Sequence, residues 1–84
     1  MKYPKTIYRD YTLNELHTLF NSDNWRNHMS FSERLDACQE VENRYAAENG
    51  VPPCTVRHEP MDDVCYGEQR GSSIYLNTYL LKDR

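Results

Sequence analysis

Gly50-Val51-Pro52-Pro53 divides this chain into two parts that fold by different rules. A glycine takes the left-handed conformation that closes a helix, and prolines lack the N–H that would continue one. Ahead of the break, Ser30 and Glu33 have the spacing of a capping box, in which each side chain satisfies the other's backbone N–H. These two signals bracket a helix over residues 31–49. Its apolar residues Phe31, Leu35, Cys38, Val41 and Tyr45 recur at spacings of 4, 3, 3 and 4, which puts them on one face. That face is the expected core.

A shorter helix is expected over residues 13–21. Thr12 and Glu15 form a second capping box, Tyr11 can staple onto Leu16, and Leu13, Leu16 and Phe20 share a face. Residues 21–27 are polar and loop-like, with Ser22 placed to cap one further turn. The first eleven residues carry Tyr3, Ile7, Tyr8 and Tyr11 around Pro4, and read either as an edge strand or as an extended arm laid on the fold.

Beyond the prolines the period changes to two. Cys54, Val56 and His58 alternate with Thr55, Arg57 and Glu59, the pattern of a strand. Pro60-Met61-Asp62-Asp63 reads as a turn. Val64-Cys65-Tyr66 and Ser73-Ile74-Tyr75-Leu76 read as two strands joined through Gly67 to Gly71, with Gly71 free to take positive φ. Asn77-Thr78 closes the last strand, and Tyr79-Leu80-Leu81 packs as a helical turn or extension. Helices segregated from strands make an α+β chain: a short N-terminal helix and one long helix packed on a small, about three-stranded antiparallel sheet. Its 84 residues form one expected domain, 1–84.

Charge and cysteine usage narrow the function classes. Ten Lys and Arg against thirteen Asp and Glu give a net charge of −3. That opposes direct nucleic-acid binding, which depends on neutralising phosphates. The charge is uneven, +1 over residues 1–30 and −4 over residues 31–84. No apolar run approaches the roughly 20 residues of a membrane span, and no apolar run follows the charged start as in a signal peptide. Cys38, Cys54 and Cys65 are odd in number and unpaired in spacing, so three reduced thiols in a cytosol are expected.

Candidate chemistry is sparse. Cys54 and His58, four residues apart in a strand, stand about 13 Å from each other and cannot share one ion. No C-x-x-C pair supports zinc, so neither a metal nor a cofactor is expected. His58 and Cys65 can approach across a strand pair, but nothing in the pattern demands a thiol–imidazole dyad. His58-Glu59 lacks the second histidine of a zinc-peptidase helix, because position 62 is Asp62. Glu42 falls within the apolar stripe of the long helix, where it either extends to solvent or makes a buried hydrogen bond or ion pair with His17 or Arg57. Glu33, Asp36 and Glu40 line the face opposite the stripe, as a solvated surface or as a partner-binding one. Seven tyrosines add side chains suited to protein interfaces.

Tyr45-Ala46-Ala47-Glu48, Gly50, Pro52-Pro53, Val56, Gly67, Ile74-Tyr75-Leu76-Asn77 and Leu80-Leu81 together resemble the front part of small bacterial zinc-metallopeptidase-like domains of toxins and mobile elements. The resemblance spans residues 33–82. In that family a helix, strand and hairpin of this kind precede the H-E-x-x-H zinc helix, which this sequence lacks. It therefore implies the scaffold without the chemistry, and carries over no catalytic or metal residue.

The expectation is a non-catalytic, monomeric protein of a bacterial host cytoplasm that binds another protein, with no nucleic-acid or membrane partner of its own. Its most concrete form is a phage or mobile-element inhibitor of the anti-CRISPR type. Glu33, Asp36 and Glu40 would then occupy a basic nucleic-acid-binding surface of a host defence nucleoprotein. The alternatives are a generic assembly module, or a remnant or subunit of a metallopeptidase-like domain that needs a missing zinc-helix segment.

Overall fold

The computed structural model describes residues 6–62 and 64–81. Three helices come first: α1 (Leu13–Phe20), α2 (Asp23–Asn27) and α3 (Phe31–Asn49). Strands β1 (Thr55–Glu59), β2 (Gly67–Arg70) and β3 (Ser73–Asn77) follow, and a 3-10 turn covers Thr78–Leu81. Both capping boxes form as the sequence predicts. Ser22 does cap a further turn, its hydroxyl accepting from the Trp25 N–H. Gly50 closes α3 at φ 66°, which the Val51 N–H bond to the Ala46 carbonyl requires.

The protein is α+β, with α3 packed on a three-stranded sheet. The sheet is mixed, not antiparallel as expected. Its order is β1-β3-β2, with β1 parallel to β3 and β2 antiparallel to it. The reason lies in the connection. β2 and β3 make the hairpin predicted around Gly71 (φ 59°), and β2 takes the outer edge, which leaves β1 only the far side of β3. Asn77, buried at the end of β3, fixes the intervening loop. Its Oδ1 accepts from the Met61 N–H, and its Nδ2 donates to the carbonyls of Asp62 (3.0 Å) and Cys65 (2.7 Å). Residues 64–66, expected as strand, belong to this loop, and pairing starts at Gly67.

The core is not where the α3 stripe put it. Phe31, Leu35, Cys38 and Val41 are half-buried and Tyr45 is exposed. Cys38, Val41 and Tyr45 instead line a cleft of about 220 Å³ with Val56, Ile74 and Leu76. The fully enclosed apolar cluster lies on the adjoining face of α3, where Ala37 meets Tyr8, Leu16 and Met29 and Val41 packs against them. Ala37 lets α1 approach closely, and Leu16 is completely buried there. Among the described residues, no helix is long and apolar enough to cross a membrane.

Candidate functional site

The acidic residues Glu33, Asp36 and Glu40 share one side of α3, but at Glu40 that side does not face solvent. The N-terminal segment covers it. Residues 7–10 form a turn, closed by the Tyr11 N–H to Tyr8 carbonyl bond, so this stretch is neither a strand nor extended. The part of the expected arm at residues 1–5 lies outside the described residues. Thr6 donates its hydroxyl to Glu40 Oε1 at 2.7 Å, and Arg44 donates to Glu40 Oε2 at 2.6 Å. Glu40 is only 4% exposed, which removes it from the solvent face assigned from the sequence. Tyr8 is buried beside it. Its phenol is pushed above the ordinary range first by burial, then by the charges of Glu33 and Asp36.

Glu33 is occupied as well. It accepts the Ser30 N–H at 3.0 Å, and this hydrogen bond at the helix start holds its carboxyl below the usual range. Asp36 is half-buried. A helical wheel sees only the helix, so a face covered by a distant segment of chain looks free.

Glu42 resolves to a third arrangement. It is half-buried and accepts the Cys54 N–H at 2.8 Å, so its partner is the backbone entering β1 and not His17 or Arg57. Next to it, Gln39 acts as a substitute strand. Its Nε2 donates to the Cys54 carbonyl at 2.9 Å, and its Oε1 accepts the Val56 N–H at 2.8 Å. One carboxamide thus meets two polar groups on the edge of β1 that faces away from β3. Asn43 Oδ1, one turn on, accepts from the same Nε2 at 3.1 Å and orients it. Gln39→Leu keeps the approximate volume and removes all three bonds. The expected cost is about 2–3 kcal/mol in denaturant melts, since buried Val56 N–H and Cys54 C=O lose their partner.

The thiols do not converge on a centre. Cys65 Sγ contacts Met61 Sδ at 3.6 Å, while His58 bonds Thr78 Oγ1 at 3.1 Å and packs edge-on against Phe31 at 4.6 Å. The Cys54 thiol is raised by desolvation and by Glu42. Among the described residues, no group of three or more His, Cys, Asp or Glu side chains is placed to hold a metal ion. Burial in the cleft pushes the Cys38 thiol up to about 11. A raised thiol favours folding below the ordinary thiol range, and that contribution fades as pH climbs toward 11. Cys38→Val is therefore expected to flatten the alkaline limb of a stability–pH curve. Iodoacetamide at pH near 8 should modify Cys38 in the folded chain roughly 100-fold more slowly than in the unfolded chain.

The sheet face away from α3 holds the one charged constellation that spans all three strands. The Arg70 guanidinium lies 4.6 Å over the Tyr75 ring and pairs with both Glu59 and Glu68. These two carboxylates hold it firmly protonated. At the end of this sheet, Asn77 N–H donates to the Tyr66 carbonyl at 2.9 Å, which ties the loop entering β2 to the end of β3. Val64 is 89% exposed and Tyr66 is 69% exposed. The alternation of β2 and β3 makes this face legible once the register is known, but the shift of β2 from 64–66 to Gly67–Arg70 hid it.

Comparison of the chain with protein-family models, with curated proteins and with solved structures gives no match.

Proposed function

We propose that this chain is a non-catalytic protein of a bacterial host cytoplasm that works by binding another protein. The observation that carries the reading is the exposure of Val64 and Tyr66 where the loop enters the β2–β3 hairpin next to Glu68, with Tyr79 open in the turn after β3. Large apolar side chains left this open supply surface that a partner can cover. Tyrosine buries much area with little loss of rotamer freedom, which suits an interface anchor. The acidic neighbour suits a basic partner. Glu40, enclosed by Thr6 and Arg44, has no part in such a surface.

The most concrete form is an inhibitor of the anti-CRISPR type that covers a basic nucleic-acid-binding surface. Affinity capture from the native extract would supply the partner, and on-rates and off-rates against it would then be measured. Tyr66→Ala is expected to raise the off-rate at least tenfold with the melting temperature unchanged. The on-rate should fall as salt shortens the Debye length below about 10 Å. An inhibitor further requires that nucleic acid and this protein compete for the partner. Simultaneous binding of both would leave a generic interaction module. An unchanged off-rate for Tyr66→Ala would sink the proposed surface.

A further inference from the structure

The two edges of the sheet are finished differently. On β1 the outward-facing Val56 N–H and Cys54 C=O are taken by Gln39. On β2 every residue from Gly67 to Arg70 is exposed. The direction of its backbone groups follows from one bond. Asn77 N–H donates to the Tyr66 carbonyl, so by antiparallel alternation the bonded pairs are Tyr66 with Asn77, Glu68 with Tyr75 and Arg70 with Ser73. The N–H and C=O of Gly67 and Gln69 therefore point outward, away from β3.

The geometry points to a second copy of this chain as the occupant of that edge, paired antiparallel about a two-fold axis through Gln69. Four residue-centred registers bring the two short strands into overlap, and charge chooses among them: centring on Arg70 sets two guanidiniums opposite one another. Centring on Glu68 also lets Gly67 bond Gln69 of the second copy, but it sets two carboxylates opposite one another and leaves Arg70 against Tyr66. Centring on Gly67 sets Arg70 against Val64 and Glu68 against Tyr66. Centring on Gln69 sets Glu68 opposite Arg70 of the second copy, twice by symmetry. In that register Gln69 exchanges both backbone bonds with its own counterpart, and Gly67 meets Gly71. The outward groups are the ones that bond. Arg70, already stacked on Tyr75 and held by Glu59, exchanges its own Glu68 for that of the second copy. The result is one six-stranded sheet, which departs from the monomer expected from sequence. The pairing shares Glu68 with the border of the proposed partner surface, but it is read from the mass of the chain alone, with no partner present.

So short an interface implies a dissociation constant of about 10 µM to 1 mM. Sedimentation equilibrium in reductant, run on the full chain across that range, should show mass rising from 10.0 kDa toward twice that value. Glu68→Lys alone places cations opposite cations, Arg70→Glu alone places carboxylates opposite carboxylates, and each should weaken association at least tenfold. Mixed in equal amounts, the two variants should form a one-to-one heterodimer, because each then offers the charge the other lacks. Gln69→Pro removes an outward N–H while sparing the β2–β3 bonds, so it should stay folded by circular dichroism and monomeric. A wild-type chain that stays at 10.0 kDa up to about 1 mM overturns the inference. So does a Gln69→Pro variant that dimerises like wild type, or a folded variant pair that fails to combine.

Discussion

Arg34→Ala is expected to cost about 3–4 kcal/mol, much of the stability a chain of this size possesses. Arg34 is 1% exposed, among the largest fully buried side chains in the described fold. Its guanidinium donates to three backbone carbonyls: Trp25 at 2.9 Å, Arg26 at 3.4 Å and Leu81 at 2.8 Å. Two of these close α2 and the third ends the 3-10 turn, so one side chain joins α2 and the C-terminal end of the described fold to α3. A helix C-terminus also favours a cation, because its carbonyls are unpaired within the helix. Truncation leaves these buried acceptors without their donor and opens a cavity. Arg34→Met refills most of that volume, so it separates packing from hydrogen bonding. Arg34→Lys should recover only part of the loss, since an ammonium cannot reproduce the planar fork. Trp25, the single tryptophan and 5.9 Å from the guanidinium, reports the melts by fluorescence. A loss below about 1 kcal/mol for Arg34→Ala would mean that water replaces the brace.

Arg34 also shows what a sequence pattern can and cannot carry. The caps, the bounds of α3 and the Gly71 hairpin were legible because each depends on residues within a few positions of one another. The fold class followed from them. The buried positions of α3 did not, because they are chemically mixed: Arg34, Ala37, Gln39, Glu40, Asn43 and Ala46. Four of these six are polar or charged, and each is buried with partners distant in sequence or one helical turn away. Hydrophobic periodicity ranks residues by their own chemistry, so it chose the Leu35–Cys38–Val41 stripe, whose Cys38 and Val41 line a cleft. The parallel pairing of β1 was hidden for the same reason. It depends on Gln39 closing the far edge and on Asn77 holding the loop, and both are contacts across the chain. The candidate acidic site failed at Glu40 because its cover, Thr6, lies 34 positions away.

That cover makes Glu40→Lys the sharpest reversal of what the sequence implies. On an exposed acidic face the substitution would leave the melting temperature unchanged. In the structure it places an ammonium where a 4% exposed carboxylate accepts from Thr6 and pairs with Arg44. Two cations then share a largely dry site, and the arm loses its anchor on α3. The expected loss is about 3–5 kcal/mol. Glu40→Gln keeps an acceptor for Thr6 and removes only the charge, so it should cost about 1–2 kcal/mol. Asp36→Lys, at a half-buried site, should shift stability by under about 1 kcal/mol. The arm supplies a separate readout. Arg44 also donates to the Arg9 carbonyl, so losing Glu40 frees both the hydroxyl and the guanidinium that dock residues 6–9. Tyr8, 6% exposed in the intact fold, should then become accessible, and limited proteolysis should cut near Arg9 under conditions that leave wild type whole. A Glu40→Lys variant that melts with wild type and keeps Tyr8 shielded would return Glu40 to the solvent face and restore the acidic surface of α3 as the candidate for partner binding.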